Sequence, residues 1–137
     1  TVSLNEITSL REEIVAAKDQ LLEEYRARLI ERLETLQRTV APALDPARAE
    51  AEAVVYAEKS DITEELVRLE VHLNACRKLL DPSHPEPAGK SLDFLVQELL
   101  RESNTIGNKA RGAAVAARVV AMKGEIEKIR EQVQNLE

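Results

Sequence analysis

The chain has 137 residues, a formal net charge of −6 and a pI near 5.1, with 44% hydrophobic and 32% charged residues. It contains two Tyr, one Phe, no Trp and four Gly, a composition typical of helical bundles rather than of β-sandwiches, barrels or disordered chains. The length suits one domain with a buried core, and the acidic charge argues against a broad basic surface for nucleic acid.

The single cysteine, Cys76, excludes an intrachain disulfide and a CxxC site for a metal or for redox chemistry. No signal peptide is recognisable, and the apolar stretch 113–122 is too short to span a membrane and is interrupted by Arg118. We therefore expect a cytoplasmic protein without membrane segments. Because the sequence begins at Thr1, we expect a processed chain or a piece of a longer protein.

The first predicted element is one long helix over residues 3–40, because apolar side chains recur at intervals of three and four. These positions are Leu4, Ile7, Leu10, Ile14, Leu21, Tyr25, Leu29, Leu33, Leu36 and Val40. Pro42 and Pro46 end the helix, since proline does not continue one comfortably.

A second helix is predicted over 46–80, starting at the cap signal formed by Asp45 and Pro46. Its apolar seam has heptad spacing and consists of Ile62, Leu66, Leu69, Leu73, Cys76 and Leu80. Asp61 and Glu64 resemble a capping box, which indicates a possible break. We favour a continuous helix, because neither Gly nor Pro occurs between residues 47 and 60.

A surface loop with three prolines is predicted over 81–89, followed by a third helix over 90–106 that stops or kinks at Gly107 and Asn108. A fourth helix over 110–136 carries a second heptad seam: Val115, Val119, Met122, Ile126, Ile129, Val133 and Leu136. The sequence thus predicts an elongated all-α bundle of about four helices. The long helices exceed the third in length, which leaves apolar seams uncovered and favours self-association.

Polar residues follow one side of the second helix beside its buried edge. At about 100° per residue, this stripe comprises Asp61, Glu64, Glu65, Arg68 and His72. Carboxylates and an imidazole within a few turns of helix can bind a divalent metal or transfer protons. The alternative interpretation is a solvated helix face with ion pairs between successive turns.

The third helix carries a stripe of unusual composition, with carboxamides where a solvent face normally has Glu and Lys. Its members are Lys90, Asp93, Gln97, Arg101, Asn104 and Asn108. Glu98 and Glu102 lie between this stripe and the apolar face. The alternative to a functional stripe is hydrogen bonding between helices. Four cations gather near the end of this helix as candidates for phosphate contact: Arg101, Lys109, Arg111 and Arg118.

Three segments, 61–72, 89–109 and 127–137, closely resemble the C-terminal half of the bacterial YicC family. The most specific of them reads LDFxxQExxRExNTxxxK over residues 92–109. Members of this family have been described as stress-induced proteins and as endoribonucleases, with an additional N-terminal α+β region. The resemblance implies a cytoplasmic enzyme that cuts RNA internally, depends on Mg²⁺ or Mn²⁺, and assembles as a ring-like homo-hexamer.

The resemblance also gives weight to the two polar stripes as a site. We expect the metal ligands to come from four acids and one histidine: Asp61, Glu64, Glu65, Glu98 and His72. The candidates for catalysis are Glu65, Arg68, His72, Gln97, Glu98, Arg101, Glu102 and Asn104. The candidates for RNA phosphate contact are Arg101, Lys109 and Arg111.

Two functions are therefore compared. The first is a metal-dependent endoribonuclease, in which the acids and imidazole of the second helix face the amides and the guanidinium of the third across a hydrated gap. The second is a non-catalytic helical scaffold that holds copies of the protein together or clamps RNA, which the heptad seams and the acidic charge favour.

Overall fold

The apolar periodicity of the sequence folds into five α-helices in a computed structural model, which describes residues 2–39, 46–83, 89–110 and 112–136 and shows no strand among them. The helices are α1 (Val2–Thr39), α2 (Pro46–Lys59), α3 (Thr63–Leu79), α4 (Gly89–Lys109) and α5 (Ala113–Leu136). The predicted all-α bundle is confirmed. No helix in these ranges is long and apolar enough to cross a bilayer.

Four of the helices, α1, α3, α4 and α5, surround one apolar core, and α5 packs between α1 and α4. Both predicted heptad seams lie in this core, apart from Leu80, which is half-buried, and Leu136, whose side chain lies outside the described residues. Burying a Leu or Ile side chain contributes about 1.5–3 kcal/mol. The fully buried Leu4, Ile7, Leu69, Leu99 and Met122, each from this core, are among the residues that drive this arrangement.

Two arginines of the bundle fix α3 against α1. Arg11 on α1 donates from Nε to the Leu66 carbonyl at 2.8 Å and pairs with Glu70 at 3.0 Å. Arg77 on α3 donates to the Thr8 hydroxyl at 2.6 Å. These bonds set the position of α3, the helix that carries the first predicted polar stripe.

The predicted continuous helix over 46–80 is wrong, because Ser60, Asp61 and Ile62 separate α2 from α3. The Asp61 carboxylate accepts hydrogen bonds from the Thr63 backbone N–H at 3.0 Å and from the Thr63 hydroxyl at 2.6 Å. Such local bonds to Asp compete with the helical ladder. The signal for the break was therefore present at Asp61, and the helix restarts with a bond from the Leu66 N–H to the Ile62 carbonyl.

The boundary between the last two helices also differs from the prediction. Instead of ending at residue 106, α4 continues through Gly107 to Lys109, and α5 begins at Ala113 rather than at 110. Gly107 is helical and lies against α5, where an added Cβ would approach Val119 Cγ1 to 3.3 Å. Gly112, just before α5, is in close contact with Leu21 of α1.

The length mismatch predicted from the sequence is visible in α1, which has 38 residues against 24 in α5. At 1.5 Å per residue these helices measure about 57 and 36 Å, so α1 extends past the bundle. We call the projecting part the arm: residues 22–39 of α1 with α2 packed on it. Its apolar residues Ile30, Val54 and Val55 remain about half exposed, and self-association through such residues stays a prediction.

Three predicted features fall outside the described residues. These are Val40 and the helix-breaking segment 41–45, the central part of the proline-rich loop at 84–88, and Arg111.

Candidate functional site

The polar residues of α3 and α4 meet in a groove on the outer side of these two antiparallel helices. On α3, Glu65, Arg68 and His72 lie within about 60° of one another around the helix axis. On α4, Glu98, Glu102 and Lys109 lie within about 40°. We call this set, together with Glu64 at its rim, the α3–α4 groove. Its spacing of three, four and seven residues is what aligns side chains along one helix face.

One half of the groove is an ion-pair network around two buried carboxylates, since only 3% of Glu65 and 4% of Glu102 is exposed. Lys109 Nζ donates to Glu65 Oε1 at 2.7 Å, and Arg68 Nε donates to Glu102 Oε1 at 2.9 Å. Arg68 also lies 3.5 Å from Glu65 and 3.4 Å from Glu64. Arg68 therefore links both buried acids and holds them in fixed positions.

The electrostatics of this network follow from its contacts. Burial alone would raise the pKa of Glu65, but the hydrogen bond from Lys109 and the nearby charges of Lys109 and Arg68 lower it below its usual value. The hydrogen bond to Glu102 raises the pKa of Arg68, and the hydrogen bond to Glu65 raises that of Lys109. The three groups thus favour their charged forms. The second Glu65 oxygen, Oε2, is buried without a hydrogen-bond partner in the described part of the chain.

The other half of the groove brings together His72, Glu98 and Glu102. His72 Nε2 lies 4.0 Å from Glu98 Oε2, and one ligand atom from each of the three residues lies within 4.8 Å of the others. A distance of 4.0 Å is too long for a hydrogen bond. Within the described ranges, these three residues are the group of His, Cys, Asp and Glu side chains that lies close enough together to share a metal.

The charge of the groove also suits a divalent cation. The groove contains two cations, Arg68 and Lys109, and four carboxylates. With a neutral His72 its formal charge is therefore −2. The two buried carboxylates, Glu65 and Glu102, are each paired with a cation, and a bound divalent ion would neutralise the remaining charge of Glu98 and of Glu64 at the rim. Two carboxylates and one imidazole are ligands that Mn²⁺ accepts, whereas Mg²⁺ prefers oxygen alone.

The predicted carboxamide stripe does not face α3. Gln97, Arg101 and Asn104 are exposed on α4, about 60–120° around the helix from Glu98. The expectation that amides and a guanidinium oppose the acids of the second helix is therefore wrong in this chain. Glu98 and Glu102, which the sequence placed between the two faces of α4, take that position.

Of the five predicted metal ligands, the structure brings two together and leaves three apart. His72 and Glu98 are close together, whereas Asp61, Glu64 and Glu65 are not part of that trio. Asp61 precedes α3 and is turned toward Thr63, whose hydrogen bonds lower its pKa. Glu64 is exposed at the rim beside Arg68.

The residues predicted to contact phosphate have different surroundings. Lys109 is occupied by Glu65, Arg101 is exposed, and Arg111 lies outside the described residues. Arg118, which the sequence placed in the same cluster, donates to the Ala114 carbonyl and lies 3.7 Å from Glu13.

The sequence predicts Glu102 as a candidate for catalysis but leaves it out of the candidate metal ligands, whereas the structure places it beside His72 and Glu98. The available signal was the spacing of Glu98 and Glu102, two acids one turn apart at the edge of an apolar face. Glu102 is moreover buried, and buried acids are rare unless they are paired or bind a metal.

Comparison with known proteins gives consistent results. The sequence profile described as "Endoribonuclease YicC-like, C-terminal" matches residues 14–137. A "Probable endoribonuclease YicC" of Clostridioides difficile (strain 630) is 39% identical over 126 residues, which cover 92% of this chain and 42% of that protein. A protein of the same name from Haemophilus influenzae is 41% identical over 117 residues, 85% of this chain and 39% of that protein. The chain therefore spans about two fifths of the length of these relatives, and the resemblance seen in the sequence is confirmed.

Proposed function

Because this chain belongs to the endoribonuclease YicC-like family, whose C-terminal region it matches, we propose that it forms the helical part of an enzyme that cleaves RNA internally. The names of the two relatives support the reaction class, and the α3–α4 groove supports the location. The observation that carries the proposal is the convergence of His72, Glu98 and Glu102 from two helices, with ligand atoms within 4.8 Å.

In this proposal His72, Glu98 and Glu102 hold one divalent metal, Mn²⁺ or Mg²⁺. Such a metal supplies a polarised phosphate oxygen or an activated water for phosphodiester cleavage. The residues present fit it by their donor types, by their spacing and by the excess negative charge of the groove. One oxygen of Glu102, Oε1, accepts the hydrogen bond from Arg68, and its other oxygen is left to bind the metal.

The remaining residues of the groove have positioning roles. Arg68 fixes the orientation of Glu102, and Lys109 neutralises Glu65, so both cations act on carboxylates. Among the described cations beside the groove, the exposed Arg101 is available to RNA phosphate. Gln97 and Asn104 are exposed on the same face of α4 and can form hydrogen bonds to the substrate. Arg111 stays a proposed phosphate contact on sequence grounds.

Metal binding tests the site directly. Calorimetric titration of the 137-residue chain with Mn²⁺ should show one site, which Glu98→Gln and His72→Ala each weaken by about tenfold or more. The matched control is Glu64→Gln, which removes the same charge from the rim without touching the trio. If Glu64→Gln weakens binding as much as Glu98→Gln, general electrostatic attraction explains the affinity and the ligand assignment is wrong.

Cleavage tests the function. We expect a labelled RNA to be cut at internal positions in the presence of Mn²⁺, and we expect Glu98→Gln to slow cutting by about 100-fold or more. Normal Mn²⁺ binding with undiminished cleavage by Glu98→Gln would contradict the site. A protein that binds RNA but neither Mn²⁺ nor Mg²⁺ would instead be the scaffold considered in the sequence analysis.

Self-association belongs to the same proposal. The half-exposed Ile30 and Val54 of the arm give the chain an apolar surface that a second copy would cover. We propose that the protein works in the cytoplasm as a ring-like homo-oligomer, and the resemblance indicates six copies. Sedimentation equilibrium that shows only monomers at about 100 μM would contradict this.

A further inference from the structure

The arm carries a second candidate site, well outside the α3–α4 groove. The rings of Tyr25 on α1 and Tyr56 on α2 are stacked, with centroids 3.7 Å apart and planes 11° from parallel. Beside them is an open cleft of about 390 Å³, lined by both rings and by Arg48, Val55 and Lys59 among others. We call it the arm cleft. A smaller recess on the other side of Tyr25 is lined by Arg28 and Arg32.

The cations around the arm cleft form no ion pair within the described ranges, whereas several cations of the bundle do. In the bundle, Arg11, Arg68 and Lys109 each pair with a Glu. Within the described ranges, no ion pair involves the cations that line the cleft and the recess, which are Arg28, Arg32, Arg48 and Lys59. Besides these four cations, the cleft and the recess are lined by one carboxylate, that of Glu52, so their lining residues carry a formal charge of +3 in a chain with a net charge of −6.

We propose that the arm cleft binds a single-stranded segment of RNA, with a base stacked on the Tyr25–Tyr56 pair and with backbone phosphates held by the surrounding cations. This inference rests on the proposed function, because it assigns a second contact to the same substrate. Aromatic faces beside a positively charged groove are the combination that binds unpaired nucleotides without sequence preference. Paired bases are excluded, since their faces are already stacked within the duplex.

The position of the cleft agrees with a substrate that continues toward the α3–α4 groove. Lys59 lines the cleft at the end of α2, two residues before Asp61. Asp61 lies four residues before Glu65, whose carboxylate accepts the hydrogen bond from Lys109, so the inner end of the arm lies near the Lys109 end of the groove. RNA held on the arm would therefore place its adjoining nucleotides at the Lys109 end of the groove, from which the metal trio begins about 10 Å further along α4.

The protein contains its own probe for this site, because its two tyrosines are the stacked pair and it has no tryptophan. A 12-nucleotide oligouridylate should quench the tyrosine emission of the 137-residue chain as it binds. An abasic ribose-phosphate oligomer of the same length should bind by charge and leave the emission nearly unchanged. Equal quenching by both oligomers would overturn base stacking.

Charge reversal supplies the matched control. Arg48→Glu should weaken oligouridylate binding about tenfold and reduce the slope of log affinity against log salt by about 1. Arg26→Glu makes the same change at an exposed position of the arm outside the cleft, and should alter the affinity less than about twofold. Far-UV circular dichroism of both variants checks that the arm stays helical.

The outcomes separate this inference from the proposed function. If fluorescence anisotropy shows that RNA binds while tyrosine emission is unchanged and the two arginine variants behave alike, the arm cleft is not an RNA site and the proposed function stands. If no RNA binds in any assay, both proposals fail. If the tyrosine emission changes only with protein concentration, the occupant of the cleft is a second copy of the chain, which also overturns the inference.

Discussion

At the scale of single residues, Glu65 and Glu102 are buried acids that each form an ion pair with a cation at the edge of the groove. Glu65 depends on Lys109 at 2.7 Å and Glu102 on Arg68 at 2.9 Å. Removing one partner of such a pair leaves an uncompensated buried charge, which is more costly than replacing both. The groove is therefore a set of coupled contacts, and its residues must be tested as pairs.

Glu65 gives a prediction about pH. Its pKa is lowered from 4.5 in the folded chain, so its contribution to stability is complete above pH 4.5 and is lost as the pH falls through the folded value. Lys109 has a raised pKa, so its contribution is complete below pH 10.5 and is lost as the pH rises through its folded value. The pair therefore stabilises the fold between these limits. Urea unfolding at a series of acidic pH values should show a shallower loss of stability for Glu65→Gln than for the unmodified chain.

The partner variant is the control for this prediction. Lys109→Met removes the hydrogen bond that lowers the pKa of Glu65, so it should also flatten the acid dependence of stability. The double variant should then add little to either single variant, as expected of residues that act together. An acid limb that is unchanged in Glu65→Gln would contradict the assignment.

The sequence predicted these residues better than it predicted their orientation. The helical angles correctly placed Glu65, Arg68 and His72 on one stripe, because that calculation needs only 100° per residue. Which stripe of α4 meets them depends on how α4 is rotated in the bundle. The rotation is set by the burial of Leu92, Leu99 and Ile106. It turns Glu98 and Glu102 toward α3 and leaves Gln97 and Asn104 exposed.

At the scale of helices, two glycines of similar sequence context have opposite roles. Gly124 lies within α5, is exposed, and has nothing within 4 Å of the position of an added Cβ. Gly112 precedes α5, and an added Cβ there would clash with the side chain of Leu21. The close approach of the α4–α5 connection to α1 therefore requires glycine at 112, whereas α5 does not require it at 124.

Alanine substitutions test this difference. Gly124→Ala should raise the free energy of unfolding by about 0.5–1 kcal/mol, because alanine loses less backbone entropy in a helix. Gly112→Ala should lower it by about 1–3 kcal/mol, because Leu21 must move out of its packed position. Both values come from urea unfolding followed by circular dichroism. Changes of the same sign and size in the two variants would show that Leu21 does not pack against Gly112.

The helix boundaries show where periodicity stops being informative. The heptad seam of α3 begins at Ile62, but the apolar residues before it are also helical, so periodicity alone favours one continuous helix. The break depends on the local hydrogen bonds of Asp61, which a capping signal indicates only weakly. At the other end, α4 continues through Gly107, although glycine followed by Asn108 is a typical helix stop.

At the scale of the whole molecule, the chain consists of a well-packed bundle and an arm that has much less core. Among the described side chains of α2, Ala53 is buried, and Val54 and Val55 are about half exposed. In α4, by contrast, Leu92, Val96, Leu99 and Ile106 are all buried. The arm therefore has fewer apolar contacts to lose when it opens.

Hydrogen exchange should reveal this difference. Backbone amides of α2 should exchange through local opening and much faster than those of α4, which should exchange only with global unfolding. Mass spectrometry of peptides from the two helices at low protein concentration provides the measurement. Equal protection of α2 and α4 in a monomer would contradict the two-part description. Protection of α2 that rises with protein concentration would support self-association through the arm.

The most direct measurement for the central claim is anomalous X-ray diffraction from crystals of the chain grown with MnCl₂. We predict one strong Mn²⁺ peak within about 2.0–2.3 Å of His72 Nε2 and of oxygens from Glu98 and Glu102, with Arg68 still bonded to Glu102. A Mn²⁺ ion bound elsewhere on the described surface, with His72 and Glu98 contacting only solvent, would contradict the claim that the α3–α4 groove is the metal centre.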